Sequence, residues 1–341
     1  MMPVQSIAAA LLSLAAVPAA PPTLAYRLAG RIAIGGDGGW DYLTADPVQR
    51  RLYVSHATRV VVLDLKSGRP VGEVSDTPGV HGIALAPDLG RGYTSDGRAG
   101  TVTVFDLRDL SVVTRVKVTG ENPDAIVYEP TTRRVFTFNG RSDNATAIDA
   151  AKLEVVGTLA LEGKPEFAVA DGKGKIYVNL EDKSAVLVFD ARTLRIEGRW
   201  PLAPCDEPTG LAIDRAHRRL FAGCRNRLMA VMDADSGRVV TTLPIGSGVD
   251  GTAFDPATSL AFAANGEGTL TVVREESPET FTVVGNVATA PGARTLALDG
   301  ATHDVYLATA RFGVPPPPTA ERPHPRPPVV PGTFQVLIVK P

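Results

Sequence analysis

Seven positions spaced along the chain form a series rich in reactive side chains: Asp41, His81, Asp124, Glu166, Thr209, Asp250 and Arg294. Six of them are ionisable and four are carboxylic acids, which makes their shared location a question of charge. Two carboxylates about 8 Å apart repel by roughly 2 kcal/mol at an effective dielectric of about 20. Four acids at one opening therefore call for protons, a cation or a cationic ligand, with Arg294 and a protonated His81 as the compensating groups within the set. The alternative reading is an opening full of water that solvates them. A second series follows at similar intervals: His56, Asp96, Asn139, Leu180, Cys224, Asn265 and Thr309. Imidazole plus carboxylate ligation suits zinc or manganese, so Asp41, His81 and Asp124 form a candidate metal set, with His56 or Asp96 as further ligands. Calcium on Asp41, Asp124, Glu166 and Asp250 is the oxygen-only alternative.

Both series are brought into line by a repeat. The segments RLYVSH (51–56), RGYTSD (91–96), RVFTFN (134–139), KIYVNL (175–180), RLFAGC (219–224), LAFAAN (260–265) and DVYLAT (304–309) align without gaps, at spacings of 40, 43, 41, 44, 41 and 44 residues. Each has an aromatic at its third place: Tyr53, Tyr93, Phe136, Tyr177, Phe221, Phe262 and Tyr306. An apolar run precedes each segment and contributes a column of small residues, Thr44, Ala84, Val127, Val169, Ala212, Ala253 and Ala297, as strands crowded towards an axis require. Two further strands follow in each unit, as in VVVLDLKSGR (60–69) and VVTRVKV (112–118), and the alternation has period two. Seven four-stranded units predict an all-β fold, a seven-bladed β-propeller of antiparallel blades in one domain over 24–341. The seventh unit ends with TFQVLIVK (333–340), and its fourth strand is expected from LAYRLAGRIAI (24–34), a clasp that removes open edges. In such a blade the loops entering the first strand and leaving the second share a face, so both series fall at one mouth of the central channel. The opposite turns carry Arg50, Arg51, Arg91, Arg133, Arg134, Lys173, Lys175, Arg218 and Arg219, a basic face that could meet a polyanion.

The tetrad Tyr53-Val54-Ser55-His56 and its six relatives resemble the Tyr-Val-Thr-Asn repeat of surface-layer propellers, and the chain after residue 24 is similar to the YncE-like family of exported seven-bladed propellers. The resemblance implies secretion, ligand or partner binding and, in one branch, contact with single-stranded DNA. The aromatic of the tetrad is kept here but the full tetrad is not, so no binding residue is carried over from the family.

Hydrophobic residues at 44% supply a large core, and 35 basic against 37 acidic residues leave a net charge of −2, which argues against a general nucleic-acid binder. Residues 7–17 (IAAALLSLAAV) are too short an apolar run to span a bilayer and suit a signal peptide over 1–20, with Val17-Pro18-Ala19 as the cleavage site. Export to the periplasm or beyond follows from that reading. Cys205 and Cys224 fall on the same mouth of the fifth unit, where Thr209 is expected opposite Cys224; they either pair as a disulfide or stay as buried thiols. His217 and His303 fall in turns of the basic face, as expected for surface residues, while His324 falls in the loop 311–332, which holds nine prolines. That loop emerges above the mouth as a lid, a docking strip or a disordered insert. Trp40 is either a stacking surface for a ligand or a wedge between blades. The chain lacks a GxSxG elbow, an HExxH helix, a P-loop and a GxGxxG that opens a helix. The expected function is a monomeric binding or scaffold protein that offers its mouth to a small-molecule ligand, a cation or a protein partner. The alternative is a metal-assisted lyase, isomerase or lactonase in which His81 or His56 moves a proton.

Overall fold

A computed structural model describes residues 25–319 and 325–341; the expected signal segment 1–20 and His324 lie outside the described residues. The chain forms seven four-stranded antiparallel sheets arranged as blades, with two short 3-10 turns as the only helical elements among those residues. The innermost strands are Leu43–Asp46, Val80–Ala86, Pro123–Glu129, Pro165–Ala170, Pro208–Asp214, Val249–Asp255 and Leu296–Asp299. The second strands begin and end where the aromatic hexads do, from Arg51–His56 through Asp304–Thr309. In the seventh sheet the strand Arg27–Ala33 lies antiparallel to Gln335–Lys340, with Arg27 opposite Lys340. None of the described helices is long and apolar enough to cross a membrane.

The two sequence columns turn out to be direct cross-strand partners. Thr44 faces Tyr53, Ala84 Tyr93, Val127 Phe136, Val169 Tyr177, Ala212 Phe221, Ala253 Phe262 and Ala297 Tyr306. Every aromatic of the column is buried, so a small inner residue leaves the room that each ring needs. The core consists of seven apolar clusters, each shared by two neighbouring blades, rather than one central core. Polar contacts cross the same seams. Tyr93 donates to the carbonyl of Ala150 at 2.7 Å, and Tyr177 to that of Ala234 at 3.0 Å.

Most of the basic face is committed to these seams. Arg51 donates to the carbonyl of Leu107, Arg91 to Ala150 and Ala151, Arg134 to Ala191 and Arg192, and Arg219 to Pro278, in each case reaching the next blade. Arg50 pairs with Asp299, and Arg218 with Asp171 and Asp235. The expected polyanion surface is thus largely a set of blade-to-blade ties.

Cys205 and Cys224 are joined as a disulfide with their Cα atoms 5.7 Å apart. The residue opposite Cys224 is Pro208, not Thr209, because the inner strand shifts register immediately afterwards. The bridge spans 19 residues, and in the chain-entropy description such a loop is worth roughly 3 kcal/mol. A Cys205→Ser/Cys224→Ser protein should show that loss in denaturant unfolding, whereas an unchanged midpoint would mean that packing alone fixes the loop.

Candidate functional site

The first series owes its direction to β-bulges. In five blades the ladder between the first two strands is interrupted at the series residue: between Val80 and Ile83, Pro123 and Ile126, Pro165 and Ala168, Pro208 and Gly210, and Val249 and Gly251. A bulge leaves a residue out of the ladder and re-aims its side chain, and those residues are His81, Asp124, Glu166, Thr209 and Asp250. Hydroxyls of the second strands and of the neighbouring series then lock the backbone. Ser55 accepts from the Asp41 amide at 2.9 Å and donates to the Tyr42 carbonyl at 3.0 Å. Ser95 accepts from Gly82 at 2.9 Å and donates to the Asp124 carbonyl. Thr295 donates to Asp41, and Thr209 to Val249. The strands close in so tightly that a Cβ on Gly210 would lie 2.8 Å from the backbone nitrogen of Thr252.

All seven residues of the first series line one cavity of about 390 Å3, together with Tyr42, Lys164, Glu181, Arg225 and Arg326. His81 Nδ1 lies 2.7 Å from Asp41 Oδ2 and 3.5 Å from Asp124 Oδ1. The ligand atoms of these three residues lie within 4.8 Å of one another. Asp124 Oδ1 is buried and receives no aligned hydrogen bond. Across the cavity, Arg294 Nε stands 3.0 Å from Asp250 Oδ2, and Lys164 Nζ contacts Glu181 and lies 3.7 Å from Glu166. Tyr42 closes the floor, its ring 5.1 Å from that of Phe167, which lines a separate cavity beneath. Burial and the four surrounding carboxylates push its hydroxyl well above the usual tyrosine range.

Burial dominates the electrostatics. It raises Glu166 to about 8, helped by Asp124 and Asp250, and it raises Asp124 to about 7, helped by Asp41. Asp250 rises only to about 6, because Arg294 offsets part of its burial. Burial alone would lower His81, but the bond to Asp41 and the charge of Asp124 outweigh it and raise the imidazole to about 9. All four groups hold protons longer in the folded chain than in the unfolded one. Their contribution to stability is complete below the ordinary carboxylate range near pH 4 and is lost as pH rises through about 6 to 9. Calorimetry should therefore show a melting temperature that falls across this window, with a shallower fall in Glu166→Gln. A flat or rising profile would contradict the proton assignment.

The second series lies elsewhere. His56, Asp96, Asn139, Leu180, Cys224, Asn265 and Thr309 are all buried inside the blades, so the expected second ring does not line the channel mouth. Each ends a second strand, one layer out from the axis, and three of the polar ones turn towards the third strand. Asp96 accepts from Thr94, Thr101 and Thr103, Asn139 donates to Asn144 and Thr146, and Asn265 donates to Thr269 and Thr271. His56 stacks on Phe334 at 4.3 Å, burial lowers its pKa, and it does not line the cavity that holds His81. His217 is exposed and His303 half-buried in turns of the basic face, as expected, with Asp214 at 2.8 Å from the first and Asp255 at 2.7 Å from the second.

Five further lining residues with charged or hydroxyl side chains were not anticipated from the sequence. Tyr42 adjoins Asp41, Lys164 lies two residues before Glu166, Glu181 and Arg225 each follow a second strand directly, and Arg326 comes from the Pro-rich loop. The signal that could have found Glu181 and Arg225 is the column just after the hexads, which is charged only in blades four and five.

No family model matches the chain, and no curated protein does. Among solved structures, the hydrazine synthase of Kuenenia stuttgartiensis is similar at 15% identity with a TM-score of 0.71, covering 79% of this chain and 92% of that one. The WD40 repeats of RRP9 are similar at 10% identity and 0.73, covering 92% and 97%. A chain of the mitotic checkpoint complex is similar at 13% and 0.75, covering 98% and 99%. At these identities the likeness shows the fold alone, a seven-bladed β-propeller.

Proposed function

We propose that the chain is an exported propeller of the YncE-like, Tyr-Val-Thr-Asn-repeat type whose channel mouth binds a divalent cation and, through it, a small-molecule ligand or partner. The observation that carries this reading is the convergence of Asp41, His81 and Asp124, with a buried Asp124 oxygen that receives no hydrogen bond from the described residues. One imidazole and two carboxylates suit zinc or manganese, and Glu166 and Asp250 stand across the same cavity. Calcium would instead select the carboxylates alone. The Cys205–Cys224 disulfide supports export, since such bonds persist in oxidising compartments. A mature N-terminus just after Ala19 would agree with it.

Equilibrium dialysis of the mature protein against Zn2+, Mn2+ or Ca2+, followed by metal analysis, tests the reading. About one ion per chain is expected. An absence of binding with all three ions would leave a solvated, metal-free channel.

A second reading has its own support. Glu166 and Asp124, raised to about 8 and about 7, are poised to exchange protons near neutrality beside a metal set. That is what a metal-assisted lyase, isomerase or lactonase would need, with His81 or Glu166 rather than His56 moving the proton. Metal-dependent turnover of a lactone panel, abolished in Glu166→Gln, would establish it.

A further inference from the structure

Beside the cation cavity lies a groove of about 590 Å3 walled by Trp40, Phe312, Pro291, Pro327 and Val329. Its size is that of a small-molecule site. Among the described residues its only charged lining groups are two arginines, Arg294 and Arg326, and both also line the acidic cavity. The groove has a built wall. Phe312 and Val329 pair as an isolated bridge, Gly313 donates to Pro328 at 2.8 Å, and Val330 donates to Arg311 at 2.8 Å. These contacts tie the two ends of the Pro-rich loop together at the mouth. Gly292, with φ of +76°, lies so close that a Cβ there would stand 2.5 Å from the Phe312 ring. Trp40 is held on its far side by Phe334 at 5.2 Å and approaches Phe312 at 6.1 Å.

We propose that this groove takes the apolar body of an organic anion, a carboxylate or sulfonate, whose head group is held by Arg294 and Arg326. The placement follows from chain order and charge. Trp40 immediately precedes Asp41, so a molecule lying on the indole has its polar end beside Asp41, His81 and Arg294, which together line a further cavity with Arg98 and Arg141. A cationic head entering between guanidinium groups would be repelled, whereas an anion gains charge-assisted hydrogen bonds. Arg294 spends its Nε on Asp250, while Arg326 forms no ion pair among the described residues. The head group would then sit next to the cation site, in position to contact a bound ion. This subsite extends the cation reading without depending on it.

The probe is 1-anilinonaphthalene-8-sulfonate, an amphipathic anion that brightens on leaving water. It should bind at about one site, and decanoate should displace it at least about tenfold better than decyltrimethylammonium of the same chain length. Phe312→Ala and Arg326→Gln should each weaken probe binding about tenfold or more, the loss expected for one aromatic wall or one charged hydrogen-bond donor. Arg326→Gln should also erase the preference for decanoate over the cation. Equal displacement by the two detergents would overturn the inference. So would unchanged probe affinity in both variants with an unchanged melting temperature. Mn2+ dialysis on wild type and Phe312→Ala separates the two readings. Wild-type Mn2+ binding without any anion preference sinks only the groove, anion preference without Mn2+ binding sinks only the cation site, and Phe312→Ala should lose probe affinity while keeping Mn2+.

Discussion

An Asp41→Asn/Asp124→Asn protein is expected to bind Mn2+ or Zn2+ at least about 100-fold more weakly than wild type, as read by equilibrium dialysis near neutral pH. The two substitutions remove both carboxylates that meet His81, at 2.7 and 3.5 Å, and keep side-chain volume. Supporting partners of metal ligands commonly change affinity by about 10–100-fold, so the loss of two direct ligands should exceed that. The backbone should stay in place, because Ser55, Ser95 and Thr295 hold it through main-chain atoms. Asp96→Asn is the contrasting variant. Its carboxylate is buried among three threonines inside blade two, so ion affinity should be unaffected while stability falls by about 1–3 kcal/mol. Equal loss of affinity in the two proteins would mean that the first-series mouth is not the site.

Phe221→Ala should cost about 3–5 kcal/mol of unfolding free energy, measured in denaturant, the range for deleting a buried aromatic. The ring is fully buried, stacks on Phe254 at 5.1 Å and meets Phe281 edge-on at 5.9 Å. Its cross-strand partner is Ala212, which is too small to fill the void. Because the core is divided among the seams between blades, this void would open directly between blades five and six. Phe221→Leu should lose clearly less. A cost below about 1 kcal/mol for the alanine variant would mean that the seam repacks freely, contrary to close packing.

The repeat made the fold legible. A ring in the same place seven times, each with a small residue at a fixed offset before it, specifies both strands and their mutual register, and the structure pairs those columns residue for residue. The first series was legible for the same reason, since every member is the second residue of an inner strand or lies two residues before one. What the sequence hid is local backbone geometry. The bulges at His81, Asp124, Glu166, Thr209 and Asp250 are marked only by a preceding Pro or a following Gly, and they shift the ladder so that Pro208 rather than Thr209 meets Cys224. From the sequence, Asp96 and His56 look like neighbours of the mouth, when their side chains are enclosed by the next strand or by Phe334. The basic face misled in a similar way. Arg51, Arg91, Arg134 and Arg219 recur as charges, but their guanidinium groups are spent on carbonyls of the adjacent blade. Compensation at the mouth was also under-read, because Lys164, Arg225 and Arg326 arrive from loops outside the aligned columns.

The central claim is that a cation takes the place of protons held by His81, Asp124 and Glu166. Calorimetric titration with Zn2+ or Mn2+ in two buffers of different ionisation enthalpy, near pH 7, counts those protons directly. With His81 raised to about 9 and Glu166 to about 8, the release of one or more protons per bound ion is the expected result, falling in Glu166→Gln. Ion binding with no buffer dependence, or no binding heat at all, would contradict a cation site at this mouth.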